Sequence, residues 1–366
     1  MQTMYRCIVE FEDWRMATDK SLQPRTAEVE RQLRQHPLLG TWDLERVRQY
    51  RIRYSEVLEY RRKSAPQAPL ILVKHRLGIV PAERTQEHFE KEFRGLEAIW
   101  QRAGRKLEGT VPRPVAFLPD ALAIVLEKLP GHNLEKQMKI KANRVTGVLW
   151  AGKFRAIGLR FGVWLRLFHE STAQAPGIHD SKAYLTKISH WVDRCRASGL
   201  DESLARAVLE AAGRASDRVA GQPVPRAAFH GDLIPLNILV HHGHVAIVDF
   251  GGYRECEPTY EDLGFVLAYL GMMAQFGFYS PRAITAMTGG ILTGYRPVES
   301  ATLLNLYTLR GLLDIVACQF RAWRGVARKE MRLQGMQKYL AAELHRLLEE
   351  PSADPADVLS QKFVTK

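Results

Sequence analysis

The chain has 366 residues, ordinary apolar and charged fractions, and a formal net charge of +12. This length suffices for a large core in two domains or in one two-lobed domain. The four scattered cysteines form no Cys-x-x-Cys pair, which excludes a disulfide scaffold and favours a reduced, cytoplasmic protein. The basic surplus favours anionic partners such as nucleotide phosphates, phosphorylated sugars, anionic lipid or nucleic acid, although a solvated basic surface explains it equally well. No nucleic-acid module stands out in the sequence, so we expect no specific nucleic-acid partner.

The N-terminal 41 residues are mixed and charged, and we assign 1–41 to an extension of unknown role. One short helix is predicted at 27–39, and nothing in the segment resembles a signal peptide. Further along, the charge-free stretch 263–281 is barely long enough for a membrane span, and we interpret it as a core helix. We therefore expect a protein without a membrane span, with peripheral contact to anionic lipid left open.

Residues 42–130 predict a small antiparallel sheet with one helix. Apolar alternation, turns and prolines divide this segment into three strands, a helix and two further strands. The predicted positions are 47–60 for the first two strands, 70–76 for the third, 84–102 for the helix, and 111–118 and 121–129 for the last two strands.

Residues 131–350 predict mainly helices, and 351–366 predict a frayed tail. Ile157, Phe161, Leu165 and Phe168 share one face of a predicted helix that ends near His169, and further helices are predicted at 184–197, at 202–219 and from 260 to the mid-340s. Two short apolar strands, 238–240 and 245–248, flank a histidine-rich turn.

Two polar clusters adjoin these short strands. His230 begins the sequence HGDLIPLN, and Asp249 begins DFG shortly afterwards. The first supplies the Asp232 carboxylate and the Asn237 amide. One carboxylate can orient or deprotonate an attacking hydroxyl, while amide and carboxylate oxygens can hold Mg²⁺ against phosphates. The alternative is a buried hairpin with capping Asp and Asn side chains.

The spacing H-x-D-x-x-x-x-N before D-F-G, with Gly after the His, resembles the aminoglycoside phosphotransferase and choline kinase-like family. The resemblance extends from about Trp42 to the mid-340s. It implies an α+β, bilobal protein-kinase-like fold with a small antiparallel-sheet N-lobe and a larger, mainly helical C-lobe. It also implies ATP and Mg²⁺ as cofactors, and transfer of the γ-phosphoryl group to a hydroxyl of a small molecule or glycan.

The resemblance assigns roles to the two clusters. Asp232 is the catalytic carboxylate, and Asn237 and Asp249 are the metal ligands. His230 supports the loop, and Asp262 either caps a helix or anchors the catalytic loop.

In the N-lobe, Lys74 matches the family's phosphate-binding lysine at a strand. Glu92 is its partner in the pattern F-x-x-E-x-x-x-L that starts at Phe89, with Glu90 as the fallback. Arg76 shares a strand face with Lys74 and takes the cationic role if the register slips by one pleat.

The hinge between the lobes is assigned to Glu127, Lys128 and Leu129, which precede Pro130. In the family this extended backbone binds the adenine edge of the nucleotide. A plain break between strand and loop is the alternative.

The segment from Arg51 to Glu56 departs from the family because it has no glycine where relatives carry a nucleotide loop. Arg51, Arg53 or Ser55 then contact phosphates through their side chains. This departure keeps open a second function, a nucleotide-binding pseudokinase or scaffold without transfer activity. The basic charge favours a sugar, a phosphorylated metabolite or a cell-envelope saccharide over a cationic acceptor.

Overall fold

The protein is described by a computed structural model covering residues 26–52, 55–76, 82–275, 278–322 and 329–348. These residues separate into two compact units. The sheet unit comprises the described parts of 26–130 together with 246–253. The helical unit comprises 131–245 and the described part of 254–348.

The sheet unit contains one five-stranded antiparallel sheet with strand order β1-β2-β3-β5-β4. The predicted sequence of three strands, a helix and two strands is confirmed. Its elements are α1 (Thr26–Gln35), β1 (Leu44–Ile52), β2 (Ser55–Arg62), β3 (Ile71–Arg76), α2 (Ala82–Ala103), β4 (Pro114–Leu118) and β5 (Ala123–Glu127). Helix α1 ends before the predicted residue 39, because Pro37 disfavours helical geometry at the residue that precedes it.

Side-chain alternation along β3 determines which residues reach each face of this sheet. Ile71 and Val73 are fully buried in a core cluster that includes Val29 and Leu33 of α1. Successive side chains of a strand point to opposite faces. Lys74 therefore lies on the face away from α1.

Helix α2 supplies one buried polar residue to the side of the sheet on which Lys74 lies. Phe89, Leu96 and Ile99 are buried on this helix, as their spacing of seven and three residues predicts for one helical face. Glu92 lies on the same face and is only 1% exposed. A carboxylate buried to this extent requires a cationic or hydrogen-bonding partner.

The helical unit contains eight described helices and several short strands. The helices are α3 (Leu134–Lys141), α4 (Gly147–Ser171), α5 (Ser181–Arg196), α6 (Glu202–Arg218), α7 (Tyr260–Gln275), α8 (Pro281–Tyr295), α9 (Ala301–Ala322) and α10 (Lys329–Leu348). The strands are β6 (His132–Asn133), β7 (Gln174–Ile178), β8 (Pro223–Phe229), β9 (Ile238–His241) and β11 (Arg254–Pro258), together with β10 (His244–Ile247), whose last two residues are assigned to the sheet unit.

Several of these helices begin at a side chain that caps their first turn. Asn133, Asp180, Asp201 and Ser280 each accept a hydrogen bond from a backbone amide two or three residues further on. Such N-caps satisfy amides that have no partner within the helix.

The sheet formed by β7, β8 and β11 was not predicted. Its order is β11-β8-β7, with antiparallel pairing throughout. The sequences QAPGI, PVPRAAF and RECEP contain prolines and lack regular apolar alternation. Strand β8 leads directly into His230, so this sheet positions the start of the predicted catalytic loop.

Helices α4 and α8 run parallel and pack through glycines. A Cβ atom on Gly158 or Gly162 would collide with the backbone of Met287 or Ile291 of α8. Gly290 and Gly294 of α8 lie equally close to the backbone of α4. We call this contact the glycine seam, and it buries one side of both helices.

Helix α7 confirms the core interpretation of the charge-free stretch, because every residue from Tyr260 to Ala274 is buried. Over the described ranges, one window, Ala301–Cys318 in α9, has the length and apolarity of a membrane span. Of that window, 78% is buried in the fold, as expected for the core helix of a globular protein.

Candidate active site

Lys74 lies between two carboxylates in the sheet unit. Its Nζ atom donates to Asp249 Oδ1 at 2.8 Å and to Glu92 Oε2 at 3.1 Å. Burial lowers the pKa of Lys74, but the charges of Asp249 and Glu92 outweigh it and raise the pKa above its ordinary value. The lysine therefore remains a fixed positive charge at neutral pH.

The sequence left two alternatives to this pair, Glu90 in place of Glu92 and Arg76 in place of Lys74. Glu90 forms an ion pair with Arg94 on the helix surface at 2.6 Å, so it is not the partner of Lys74. The side chain of Arg76 lies outside the described residues. The structure thus brings together Lys74 and Glu92, the pair selected from the sequence pattern.

Asp249 follows β10 with φ 66° and ψ 66°, in the left-handed region. Asp adopts this conformation more readily than most residues. Phe250 is fully buried beside it, and a Cβ atom on Gly251 would collide with the ring of His88. The buried aromatic ring and the glycine hold the turn, and the Asp249 carboxylate is directed to Lys74.

His88, Glu92 and Asp249 could each offer a ligand atom, and these atoms lie within 4.8 Å of one another. The Lys74 ammonium group already contacts both carboxylates of this set. A metal ion bound there would have to displace that charge. The geometry therefore favours Lys74 as the cation of this cluster.

In the helical unit, Asp232 and Asn237 contact each other within one loop. Asn237 Nδ2 donates to Asp232 Oδ2 at 2.9 Å and to the Asp232 carbonyl oxygen at 3.0 Å. A 3₁₀ turn over Pro235–Asn237 precedes β9 and sets this approach. Because the amide nitrogen is occupied by Asp232, the oxygen is the atom that Asn237 can offer to a cation.

Asp262 anchors the start of this loop. Its carboxylate accepts from the His230 amide at 2.8 Å and from the Gly231 amide at 3.1 Å. His230 Nδ1 in turn accepts from the Asp232 amide at 3.2 Å. Of the two predicted roles for Asp262, anchoring the loop is confirmed, and His230 supports the loop as expected.

His169 lies behind this anchor. Its Nδ1 atom forms a hydrogen bond with the Tyr295 hydroxyl at 2.8 Å, and its Nε2 atom lies 3.6 Å from Asp262 Oδ2. Tyr295 is at the end of α8, and its part in this cluster was not predicted. A tyrosine after the glycine pair of α8 is too weak a sequence signal to indicate it.

A second charged cluster begins one residue earlier, at Glu261. Arg310 Nη1 contacts Glu261 Oε2 at 2.8 Å, and Arg310 Nη2 lies 3.8 Å from Asp314 Oδ2. All three side chains are buried. Burial raises the pKa of Asp314 to about 6, although Arg310 acts to lower it.

Two of the three backbone amides in the predicted hinge already donate hydrogen bonds within the sheet unit. The Glu127 amide donates to the Arg113 carbonyl oxygen at 2.9 Å, and the Lys128 amide donates to that of Leu70 at 2.7 Å. The Lys128 side chain pairs with Glu59 at 2.8 Å. Within the described part of the chain, the Leu129 amide has no hydrogen-bond partner. Of the three amides, that of Leu129 is therefore the available donor.

The predicted phosphate loop lies in the β1–β2 hairpin, where Ile52 pairs with Ser55. Arg51 Nε contacts the buried carboxylate of Glu56 at 3.3 Å. Arg53, the other predicted phosphate contact, lies outside the described residues. The guanidinium of Arg51 thus has a protein partner within its own hairpin.

A lysine held by a helix carboxylate, a DFG turn and an Asp–Asn loop are the working parts of phosphoryl-transfer enzymes of the protein-kinase-like fold. Residues 55–298 match the sequence profile of the phosphotransferase enzyme family, and the chain belongs to that family. It is a small-molecule kinase with an α+β, protein-kinase-like fold.

Solved structures agree with the fold. A choline/ethanolamine kinase family protein from Mesorhizobium loti is similar at 17% identity and TM-score 0.51, over 92% of this chain and 99% of that one. Choline kinase LicA from Streptococcus pneumoniae is similar at 15% identity and TM-score 0.50, over 86% and 99%. APH(2″)-IIa, in a ternary complex with streptomycin and ATP, is similar at 11% identity and TM-score 0.51, over 86% and 96%. No curated protein matches the sequence significantly.

Proposed function

We propose that the protein transfers the γ-phosphoryl group of Mg-ATP to a hydroxyl of a small neutral or anionic molecule, a sugar or a cell-envelope saccharide. The observation that carries the proposal is the Asp232–Asn237 contact in a loop anchored by Asp262. It holds a carboxylate, which can orient the acceptor hydroxyl, beside an amide oxygen, which can bind a metal ion. In-line phosphoryl transfer requires both groups.

In this proposal Asp232 orients the acceptor hydroxyl and receives its proton. Its amide donates to His230, and its carboxylate accepts from Asn237. The first contact holds the backbone of Asp232 in place, and the second restricts the rotation of its side chain before substrate binds. Catalysis then arises from positioning and charge neutralisation, without a covalent intermediate on the protein.

Asn237 and Asp249 are proposed as the metal ligands. An amide oxygen and a carboxylate are hard oxygen donors, which fits Mg²⁺ and not a soft metal. The bound ion would neutralise charge on the phosphates of the nucleotide. Asp249 already contacts Lys74, so in this assignment it links the metal to the phosphate-binding lysine.

Nucleotide binding is proposed for Lys74, Glu92 and the hinge from Glu127 to Leu129. Glu92 holds Lys74 in place, and Lys74 binds phosphate oxygens as a point charge. At the hinge, the Leu129 amide is the donor that remains for the adenine edge, and a neighbouring carbonyl oxygen is the acceptor. Residues 42–130 are thus proposed as the nucleotide-binding region, and 131–350 as the acceptor-binding region.

The acceptor class is argued from the partners of the buried acids and from the net charge. Asp262 is occupied by two loop amides, and Glu261 is paired with Arg310. The charge of Glu261 is thus offset by Arg310, and the Asp262 carboxylate is turned to the loop backbone and away from a cationic acceptor. The surplus of twelve positive charges favours an uncharged or anionic acceptor instead.

The second candidate function is a nucleotide-binding scaffold without transfer activity. The glycine-free hairpin favours it, because Arg51 is engaged by Glu56 instead of being directed to a phosphate. The Asp232–Asn237 contact favours the transfer activity, because a scaffold does not need a catalytic carboxylate held in place. The two proposals differ in turnover and agree on nucleotide binding.

The test combines a thermal-shift titration of ATP, with and without Mg²⁺, with transfer from γ-labelled ATP to a panel of sugars, amino alcohols and aminoglycosides. The enzyme proposal expects Mg²⁺-dependent stabilisation and label on a sugar. Stabilisation without label on any acceptor would select the scaffold. Label on an aminoglycoside or choline alone would overturn the acceptor class and leave the transfer activity standing.

A further inference from the structure

One surface of the helical unit combines exposed apolar side chains with an excess of positive charge. It is formed by the end of α3, the turn 142–146, the first turns of α4 and the start of α8. Of the nine large apolar side chains exposed in the described part of the chain, five lie here: Ile140, Val145, Val148, Leu149 and Phe278. We call this region the basic apolar surface.

The apolar side chains on this surface are exposed to an unusual degree. Val145 is 87% exposed, and Leu149 is 84% exposed. Val145 lies in the turn that precedes α4, and Leu149 lies in the first turn of this helix. Single exposed apolar residues are ordinary, whereas a group of them marks an interaction site.

Backbone contacts join the segments of this surface. The Arg144 amide donates to the Phe278 carbonyl oxygen at 3.0 Å, and Asn143 pairs with Tyr279 in an isolated bridge. Between them lies a cavity of about 730 Å³ whose lining includes Arg144, Val148 and Arg282. The exposed apolar groups and the arginines therefore belong to one patch.

The charge around this surface is mainly positive, and an acidic residue at the start of α3, Glu135, is paired with Lys139 at 3.2 Å. From Lys136 to Arg166 the sequence carries eight basic and no acidic residues, and from Gln275 to Val298 it carries two basic and none acidic. Trp150 is at the centre of the first segment, with the Lys141 and Lys153 ammonium nitrogens 4.5 Å and 5.3 Å from its ring centroid. Tryptophan beside lysine is typical of side chains at the boundary between lipid and water.

We propose that the basic apolar surface docks the protein on an anionic lipid membrane. Arg144, Arg282 and the surrounding lysines contact lipid phosphates, and Val145, Leu149 and Phe278 enter the boundary between headgroups and acyl chains. Nucleic acid also attracts basic surfaces, but it offers no apolar phase for such side chains. The paired apolar and basic character therefore selects lipid. The proposal does not depend on the acceptor of the phosphoryl group.

The test uses full-length protein and sedimentation with vesicles of phosphatidylcholine alone or mixed with phosphatidylglycerol. The wild-type protein is expected to sediment with the mixed vesicles and to remain in solution with phosphatidylcholine. The double variant Val145→Glu/Leu149→Glu is expected to lower the binding constant by about an order of magnitude or more, since each charge near an anionic surface changes it roughly fivefold. Arg144→Glu/Arg282→Glu should have a similar effect.

The matched control is Leu38→Glu/Ile178→Glu, which makes the same chemical change at two exposed apolar residues elsewhere, 48% and 73% exposed. It should bind mixed vesicles like the wild-type protein. All variants should keep the wild-type melting temperature and the wild-type thermal shift with nucleotide, so a loss of binding cannot come from misfolding. Equal loss in the control, no binding of wild type to mixed vesicles, or binding of a single-stranded RNA probe in place of vesicles would overturn the proposal.

Discussion

Asn237 directs its amide nitrogen at Asp232, with Nδ2 2.9 Å from Oδ2 and 3.0 Å from the carbonyl oxygen of the same residue. This double contact fixes the orientation of both side chains from within the loop. The carboxylate cannot rotate away without breaking a hydrogen bond, and the amide oxygen is left on the opposite side. The contact thus leaves the Asp232 carboxylate to orient the hydroxyl and the Asn237 amide oxygen to bind the metal ion.

Asp232→Asn and Asp232→Ala should both abolish transfer while ATP still binds. The carboxylate is assigned to the acceptor hydroxyl, and loss of a general base costs about 10²–10⁴-fold in kcat. Calorimetry with ATP and a label-transfer assay measure the two properties separately. Turnover at the wild-type rate in either variant would remove Asp232 from its role.

Asp249→Ala should weaken binding of Mg-ATP itself. The change removes a proposed metal ligand and one of the two carboxylates that hold Lys74. The comparison is the affinity for ATP with Mg²⁺ and with a chelator, where the wild-type difference should largely disappear in the variant. Asp193→Ala, at an exposed Asp paired with Arg196, is the matched control and should bind like the wild type. An undiminished Mg²⁺ effect in Asp249→Ala would exclude the metal assignment.

Asp262→Ala should lower both stability and turnover. Two buried amides, those of His230 and Gly231, lose their acceptor, which costs about 2–6 kcal/mol of unfolding free energy at roughly 1–3 kcal/mol per group. Denaturant unfolding and kcat are the two measurements.

Asp201→Ala is the control for this prediction. Asp201 also accepts from two amides, those of Ser203 and Leu204, but at the exposed start of α6. Its loss should cost about 1 kcal/mol and leave kcat unchanged. If both variants left kcat at the wild-type value, the anchor would have no part in positioning Asp232.

Gly162→Ala should destabilise the fold by about 1–3 kcal/mol or more, as overpacking does in a well-packed interior. The added methyl group would meet the Ile291 backbone across the glycine seam, and backbone atoms cannot move aside as a side chain can. Gly152→Ala on the same helix is the control, because nothing lies within 4 Å of its added Cβ. That control should stabilise the helix by about 0.5–1 kcal/mol. Chemical denaturation measures both, and equal effects of the two changes would contradict the seam.

Asp314 should make stability depend on pH. Its pKa is raised to about 6 by burial, so the folded state binds its proton more tightly than the unfolded chain does. Its ionisation therefore costs stability as pH rises from about 4 to about 6, and the cost is complete above that range.

Asp314→Asn should remove this dependence. The variant should be more stable than the wild type above pH ~6 by about 2–3 kcal/mol, the equivalent of about two pKa units, and the difference should vanish near pH ~4. Urea unfolding at several pH values measures it. A variant less stable than the wild type at neutral pH would mean that Arg310 more than compensates the buried charge.

Much of the site was predictable because its residues are close in sequence or carry a strong periodicity. Asp232 and Asn237 lie in one loop, and Glu92 was selected by its position relative to Phe89 on a helix. The β7–β8–β11 sheet was missed because its pairing is between distant segments and its prolines conceal the strand pattern. The partners of Arg310 were missed for the same reason, since ion pairs between helices leave no local signal.

The glycine seam links two segments whose separation in sequence hides their relation. The spacing of Gly158 and Gly162 equals that of Gly290 and Gly294, yet either pair alone is unremarkable in a helix. Because the two backbones are in direct contact, replacing a glycine on one helix by a larger residue requires the other helix to move away. We therefore expect residue changes at these positions of α4 and α8 to occur together among relatives.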